Sequence, residues 1–226
     1  MGDDAEADSA PGPDTDPEAG RHPPAVDGRT ARRDRNRDAV LDAVIELFGE
    51  GMLLPAAVDV AERSGVSPRS VFRYFEDTEA LSRAAISRHM ELVEPLFALP
   101  DAAVGSVDDR IERLVATRLR LWEAVAPVAR AVIVRAPVNE LIAAQLERNR
   151  ERMRAQVETA FAGELDACDP AERRALLAAV DVLCGYEGLD HLRRHRDMTV
   201  SQSRDVLIRA LSRLFAARPG EPGVPG

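Results

Sequence analysis

The stretch Val58-Asp-Val-Ala-Glu-Arg-Ser-Gly65-Val-Ser-Pro-Arg-Ser-Val-Phe-Arg-Tyr-Phe75 decides how this chain is read. Ala57, Val60 and Ala61 fall at helical spacing and give a short first helix one small apolar face. Gly65 stands where the chain must turn, because glycine accepts the left-handed conformation that closes a helix. Ser67 offers an N-cap hydroxyl, and Pro68 suits the first helical position, where its missing N–H costs nothing. The second helix carries Arg69, Ser70 and Arg73 beside Val71, Phe72, Tyr74 and Phe75. Val71, Phe72 and Phe75 read as core, and the other side presents guanidinium and hydroxyl groups. A helix-turn-helix offers its second helix to a DNA major groove in this way.

Outward from that stretch the chain reads as helices throughout, so the fold class is all-α. Before it, Val40, Leu41, Val44, Leu47 and Phe48 recur at helical steps from about Asp34 until Gly49 and Gly51, and Pro55 opens the next helix. After it, Asp77 caps a fourth helix running toward Pro95, with Leu81, Ala85, Ile86, Met90 and Val93 inward. Ser106 with Asp109 starts a helix through Ile111, Leu114, Val115, Leu119 and Trp122. Pro127 and Pro137 predict a short helix between them. Leu141 to Phe161 continues the pattern, and Gly163 to Asp169 reads as a connector. Asp169-Pro170-Ala171-Glu172 is a capping box for a helix reaching Leu192, and Thr199-Val200-Ser201-Gln202 is another for the last helix.

Composition narrows the class. With 226 residues, 45% of them hydrophobic, the chain can bury a substantial core. Residues 1–28 hold eight acids against Arg21 and a single large aliphatic residue, Val26, so they read as a disordered acidic tail; residues 218–226 read as a flexible one. The tail accounts for −7 of the net charge of −9, which leaves the remainder near neutral. Within that remainder Arg29, Arg32, Arg33, Arg35 and Arg37 face only Asp34, a local excess of positive charge suited to phosphates. All 30 basic residues are arginine; because they run through the whole chain, this reads as coding bias. Cys168 and Cys184 form no zinc or C-x-x-C pattern, no apolar run suits a membrane span, and no secretory leader follows Met1, so a cytoplasmic location is expected.

The residues from Arg37 to Leu81 resemble the DNA-binding domain of the TetR (tetracycline-repressor-like) family of transcriptional regulators. The resemblance rests on Ala39-Val-Leu-Asp-Ala43, Leu47-Phe48 with Gly51, Val60-Ala61, Ser64-Gly65-Val66-Ser67, Val71-Phe72-Arg73-Tyr74-Phe75 and Glu79-Ala80-Leu81, all in register. It implies a DNA-binding domain over residues 29–80, with the helix-turn-helix at about 56–75, and a helical effector-binding and dimerisation domain over 81–217. It implies a homodimer through the last two helices, a small-molecule effector of unknown identity, and a ligand-responsive repressor on a near-palindromic double-stranded operator. Three positions depart from the family: Pro55 where threonine is common, Phe72 where tyrosine is common and Thr78 where lysine is frequent. Each gives up a phosphate anchor, and the arginines at 29–37 are expected to compensate, as an arm along the backbone or in the minor groove.

The candidate DNA-binding residues are therefore Arg32, Arg33, Arg35, Ser67, Arg69, Ser70, Arg73 and Tyr74. Candidates for an effector pocket are Trp122, Met153, Phe161, Asp181, Tyr186 and Glu187; the two acids interrupt an apolar helix, which suits either a pocket or a solvated face. Gly185 and Gly188 permit close helix approach or a thin cavity wall. His191 and His195 have a metal-compatible spacing, but Arg193 and Arg194 oppose a cation, so neither a metal nor a cofactor is expected. No phosphate loop, G-x-S-x-G elbow or convincing carboxylate pair points to an enzyme. The competing class is a helical dimer whose degenerate reading head serves protein interaction or ligand sensing.

Overall fold

The computed structural model describes residues 28–216, which contain helices and no strand. The acidic leader (except Gly28), the closing tail and the side chain of Arg29 lie outside the described residues. Helix α1 spans Gly28–Gly49, α2 Ala57–Ser64, α3 Pro68–Tyr74 and α4 Thr78–Val93. Then come α5 (Val107–Arg135), α6 (Glu140–Ala160), α7 (Ala162–Asp166), α8 (Pro170–Cys184), α9 (Tyr186–Asp190) and α10 (Val200–Ala216). No helix among the described residues is long and apolar enough to cross a membrane.

Local signals set most helix starts. Ser106 Oγ accepts from the Asp109 N–H at 3.2 Å while the Asp109 carboxylate accepts from the Ser106 N–H at 2.9 Å. The Asp169 carboxylate takes the Ala171 and Glu172 N–H groups at 2.7 and 2.9 Å, and Thr199 and Gln202 cap one another in the same reciprocal way. At α2 the boundary shifts: Ala56, not Pro55, precedes the first turn, and the Asp59 carboxylate accepts the Ala56 N–H at 2.8 Å.

Four expectations need correction. The first helix is already formed at Gly28, the first described residue, so the arginine cluster winds along α1 instead of forming a separate arm. Pro127 does not break α5, which runs unbroken through it, with Val128 and Ala131 fully buried beyond it. Its ring packs at the end of α1, where a Cβ on Gly49 would lie 3.8 Å away, so tertiary burial outweighs a local cost of about 3 kcal/mol. The Gly163–Asp169 connector contains α7, whose Glu164 carboxylate accepts from Arg110 of α5 at 2.8 and 3.0 Å. Finally, the helix from Asp169 ends at Cys184: Gly185 is extended, and α9 passes into a π-helical turn at His191–His195.

Two apolar clusters organise the molecule, and α5 runs through both. The first gathers Val40, Val44 and Phe48 of α1, Val60, Val71, Leu81, Ala85 and Ile86, and closes on Val128 and Ala131 of α5. The second gathers Ile111, Leu114 and Trp122 of α5 with Val157, Phe161, Val180, Leu207 and Leu211. Arg135, 3% exposed, secures the end of α5 to α4: its Nη2 donates to Ser82 Oγ at 3.0 Å and its Nε to Glu79 at 3.2 Å. Its guanidinium also stands 5.1 Å from the centre of the Phe48 ring. His89 Nε2 donates to the Ala124 carbonyl at 2.7 Å, a second tie between α4 and α5; because a carbonyl only accepts, the proton resides on Nε2.

Gly188 shows how tightly α9 folds back on α8. A Cβ there would overlap the Val182 carbonyl oxygen and crowd that of Leu183 at 3.1 Å. Gly188→Ala is expected to destabilise the protein by about 1–3 kcal/mol, the usual scale of overpacking, seen as a lower midpoint in chemical denaturation.

Candidate nucleic-acid interface and ligand cavity

The reading head is built from backbone requirements first. Gly65 closes α2 with φ 68° and ψ 14°, the left-handed geometry that a β-carbon disfavours. Ser67 then caps α3, its Oγ accepting from the Ser70 N–H at 3.4 Å, and Pro68 occupies the first turn. Val71, 1% exposed, and Phe75 lie four residues apart and take the inward face. Phe72 is therefore turned out of the core and stands 54% exposed, contrary to its sequence reading. Being about 100° around the helix from Val71, it cannot share the buried side.

What α3 presents outward is cationic. Arg69 and Arg73 are exposed, Ser70 and Tyr74 half-buried, and among the described residues no carboxylate pairs with either arginine. Arg73 Nη2 donates to the Tyr74 hydroxyl at 3.2 Å and its guanidinium lies 5.2 Å from the ring centre, so the pair forms one surface. Arg32, Arg33 and Arg35 are exposed on the first turns of α1, again without a carboxylate partner among the described residues. Arg63 contrasts with them: it pairs with Glu50 at 2.8 Å and Glu46 at 3.2 Å, which fixes α2 to α1. Asp77 caps α4 by accepting the Ala80 N–H at 2.6 Å, and Thr78 is exposed.

Below the head lies a cavity of about 1190 Å³ bounded by α4, α5, α6, α8 and α9. Ile86, Met90, Leu121, Trp122 and Met153 give it a predominantly apolar wall. Of the expected pocket residues, Trp122, Met153, Asp181, Tyr186 and Glu187 line it. Phe161 does not. It is fully buried in the second cluster, its ring stacked on Phe215 with 4.0 Å between centres, because the last turn of α6 faces α10. Asp181 and Glu187 are held by Arg154 and Arg150, each at 3.0 Å. Gly185 and Gly188 both reach the cavity and permit close approach, so their two readings are compatible.

Two polar residues that the sequence reading did not place in the pocket, Arg118 and Cys184, join the expected Tyr186 in its wall. Arg118 is 2% exposed and lines the wall one helical turn before Trp122. Cys184 is buried, and that burial pushes its thiol up to about 12, so it stays protonated. The Tyr186 phenol, which donates to Asp190 at 3.1 Å, is likewise raised above the ordinary tyrosine range, first by burial and then by the Asp190 charge. The signal for Arg118 was legible: it falls on the helical stripe of Ile111, Leu114, Val115 and Trp122 much as Asp181 interrupts its own helix.

No family model and no curated protein sequence matches the chain. Solved structures do. A TetR-family transcriptional regulator from Streptomyces coelicolor superposes with a TM-score of 0.61 at 18% identity, covering 82% of each chain. A proposed TetR-family regulator from Rhodococcus sp. gives 0.54 at 19% identity, over 80% of this chain and 98% of the other. A proposed fatty acid metabolism regulator of Clostridium perfringens gives 0.55 at 15% identity, over 77% and 97%. The chain thus has the all-helical fold of these regulators: a helix-turn-helix head on a helical C-terminal body.

Ser67→Ala removes the hydroxyl that caps α3 and is expected to cost about 1 kcal/mol. Thermal melting of the variant beside Ser67→Asn, which retains a capping acceptor, checks this: only the alanine should melt clearly lower.

Proposed function

We propose that the protein is a ligand-responsive, dimeric transcriptional regulator, a repressor, that binds a near-palindromic operator through its helix-turn-helix head. The observation that carries this reading is the pair of exposed arginines, Arg69 and Arg73, without a carboxylate partner among the described residues, on a short helix whose opposite face is locked by Val71 and Phe75. Residues 29–80 serve as the head and residues 81–217 as the effector and dimer body. Arg69, Ser70, Arg73 and Tyr74 meet the major groove, the Ser67 turn faces the backbone, and Arg32, Arg33 and Arg35 supply phosphate contacts. No catalytic role is assigned, and the cytoplasm, where such an operator resides, is the working compartment.

Dimerisation through the two long closing helices, α8 and α10, is supported by a shallow apolar groove between them formed by Ala178, Ala179, Val182, Leu183, Ala210 and Leu214. Val182 is 70% exposed there, an apolar residue in need of a cover. A second copy presenting the same two helices gives a self-complementary contact and places two heads on one operator. The cavity supplies the effector site, and its shared wall with the head gives a ligand mechanical access to α4.

One observation favours a second reading. Phe72 exposes an apolar ring in the middle of the recognition helix, as a head converted to protein binding would. Selection of bound duplexes from random DNA separates the two. The regulator reading predicts enrichment of a two-fold symmetric site; no enrichment across a broad salt range would overturn it in favour of the second reading. On the selected site, Arg32, Arg33 and Arg35 changed together to glutamine should weaken binding to all sequences. The change should also flatten the dependence of log K on log salt by up to roughly 0.9 for each phosphate that is no longer neutralised. An unchanged slope would remove these arginines from the interface.

A further inference from the structure

Arg118 raises a question of charge balance. Its Nη1 donates to Gln156 Oε1 at 2.9 Å and its Nη2 to the Met153 carbonyl at 3.0 Å; both acceptors are neutral. Gln156 is itself fixed, because its Nε2 donates to the Phe97 carbonyl at 2.6 Å, which aims its amide oxygen at the guanidinium. Arg118 is thus positioned by neighbours that do not neutralise it. Among the described residues no carboxylate lies within ion-pair distance of it. A buried cation without a counter-charge is costly, and burial lowers the pKa of Arg118 from its ordinary value.

The candidates for that missing charge are all committed elsewhere. Asp181, whose charge reaches Arg118 from beyond ion-pair distance, is paired with Arg154, Glu187 with Arg150 and Glu94 with Arg152, at the cavity's margin. Cys184, whose charge would reach Arg118, is kept as a neutral thiol by its burial. A second donor points the same way. The indole Nε1 of Trp122, one turn from Arg118 on α5, is buried without a hydrogen-bond partner. The rest of the wall, with Met90, Leu121, Met153 and Val180, offers apolar surface and a volume of about 1190 Å³.

We infer that the cavity binds an amphipathic monoanion: a largely apolar molecule whose single carboxylate pairs with Arg118 and accepts from Trp122 Nε1. This rests on the reading of the cavity as the effector site and gives that effector a chemical class. The apolar body supplies most of the buried contact, and the anion supplies orientation by completing a donor set already held in place by Gln156 and the Met153 carbonyl. A neutral ligand of the same shape would leave the Arg118 charge buried without a counter-charge, so discrimination between the two is built into the site.

The experiment uses the full-length protein with decanoate and 1-decanol, which share a chain length and differ in charge. Trp122 is the single tryptophan, so its emission reports the cavity directly, with the heat of binding as an independent readout. Decanoate is expected to bind at least tenfold more tightly than decanol. Arg118→Met should erase that preference while leaving decanol affinity within about twofold, and Arg118→Lys, which keeps the charge, should retain part of it. The wild-type comparison stands even if Arg118→Met does not fold. Equal affinity of the wild type for the two ligands would overturn the anionic class and leave the cavity as an effector site. Absence of binding by either would overturn both, whereas the DNA-binding role is judged separately by selection.

Discussion

Helix α4 has two obligations, and the rest of the structure depends on its meeting both. Leu81, Ala85 and Ile86 bury against α1 and α5 and complete the core that holds the helix-turn-helix in shape. Ile86 also lines the cavity, joined a turn later by Met90. One helix is thus a wall of the reading head and a wall of the ligand space. Close-packed interiors do not deform continuously, so a molecule entering the cavity must either fit beside α4 or displace it as a unit. Arg135 and His89 set the resting position by tying α4 to α5, and the exposed Arg88 pairs with Asp38 and Asp42 add only a weak link to α1.

The charge distribution separates surface from interior. At the cavity's margin the arginines meet carboxylates in exposed pairs, each worth little. At the head Arg69 and Arg73 are exposed and have no carboxylate partner among the described residues, as the proposed contact with phosphates and base edges needs. Arg118 has neither solvent nor carboxylate, and its two neutral acceptors hold its direction without cancelling its charge. The same residue type therefore has three fates in one chain, decided by what surrounds it.

The sequence disclosed what local chemistry controls. Ser67, Asp77, Ser106, Asp169 and Thr199 all cap helices where their spacing says they should, since capping needs only a side chain and amides two or three residues ahead. Gly65 was legible because its left-handed turn is a property of one residue. Misreadings came where tertiary packing overrides local preference. Pro127 lies in a helix kept continuous by burial beyond it, and Phe72 loses the inward face to Val71 and Phe75. Phe161 has the right character for a pocket but is turned toward Phe215. Arg118 shows the opposite case: its sequence signal, a charge on an apolar helical stripe, was present, and its meaning required knowing that no carboxylate among the described residues lies within ion-pair distance of it.

In the proposed function the ligand displaces α4 rather than fitting beside it, which couples cavity and head, and linkage makes that coupling reciprocal. The most direct measurement is decanoate affinity, read from Trp122 emission, in the absence and presence of the selected operator duplex. A shared α4 predicts weaker decanoate binding with operator bound, by the same factor by which decanoate weakens operator binding. Identical decanoate affinities with and without the operator would contradict it.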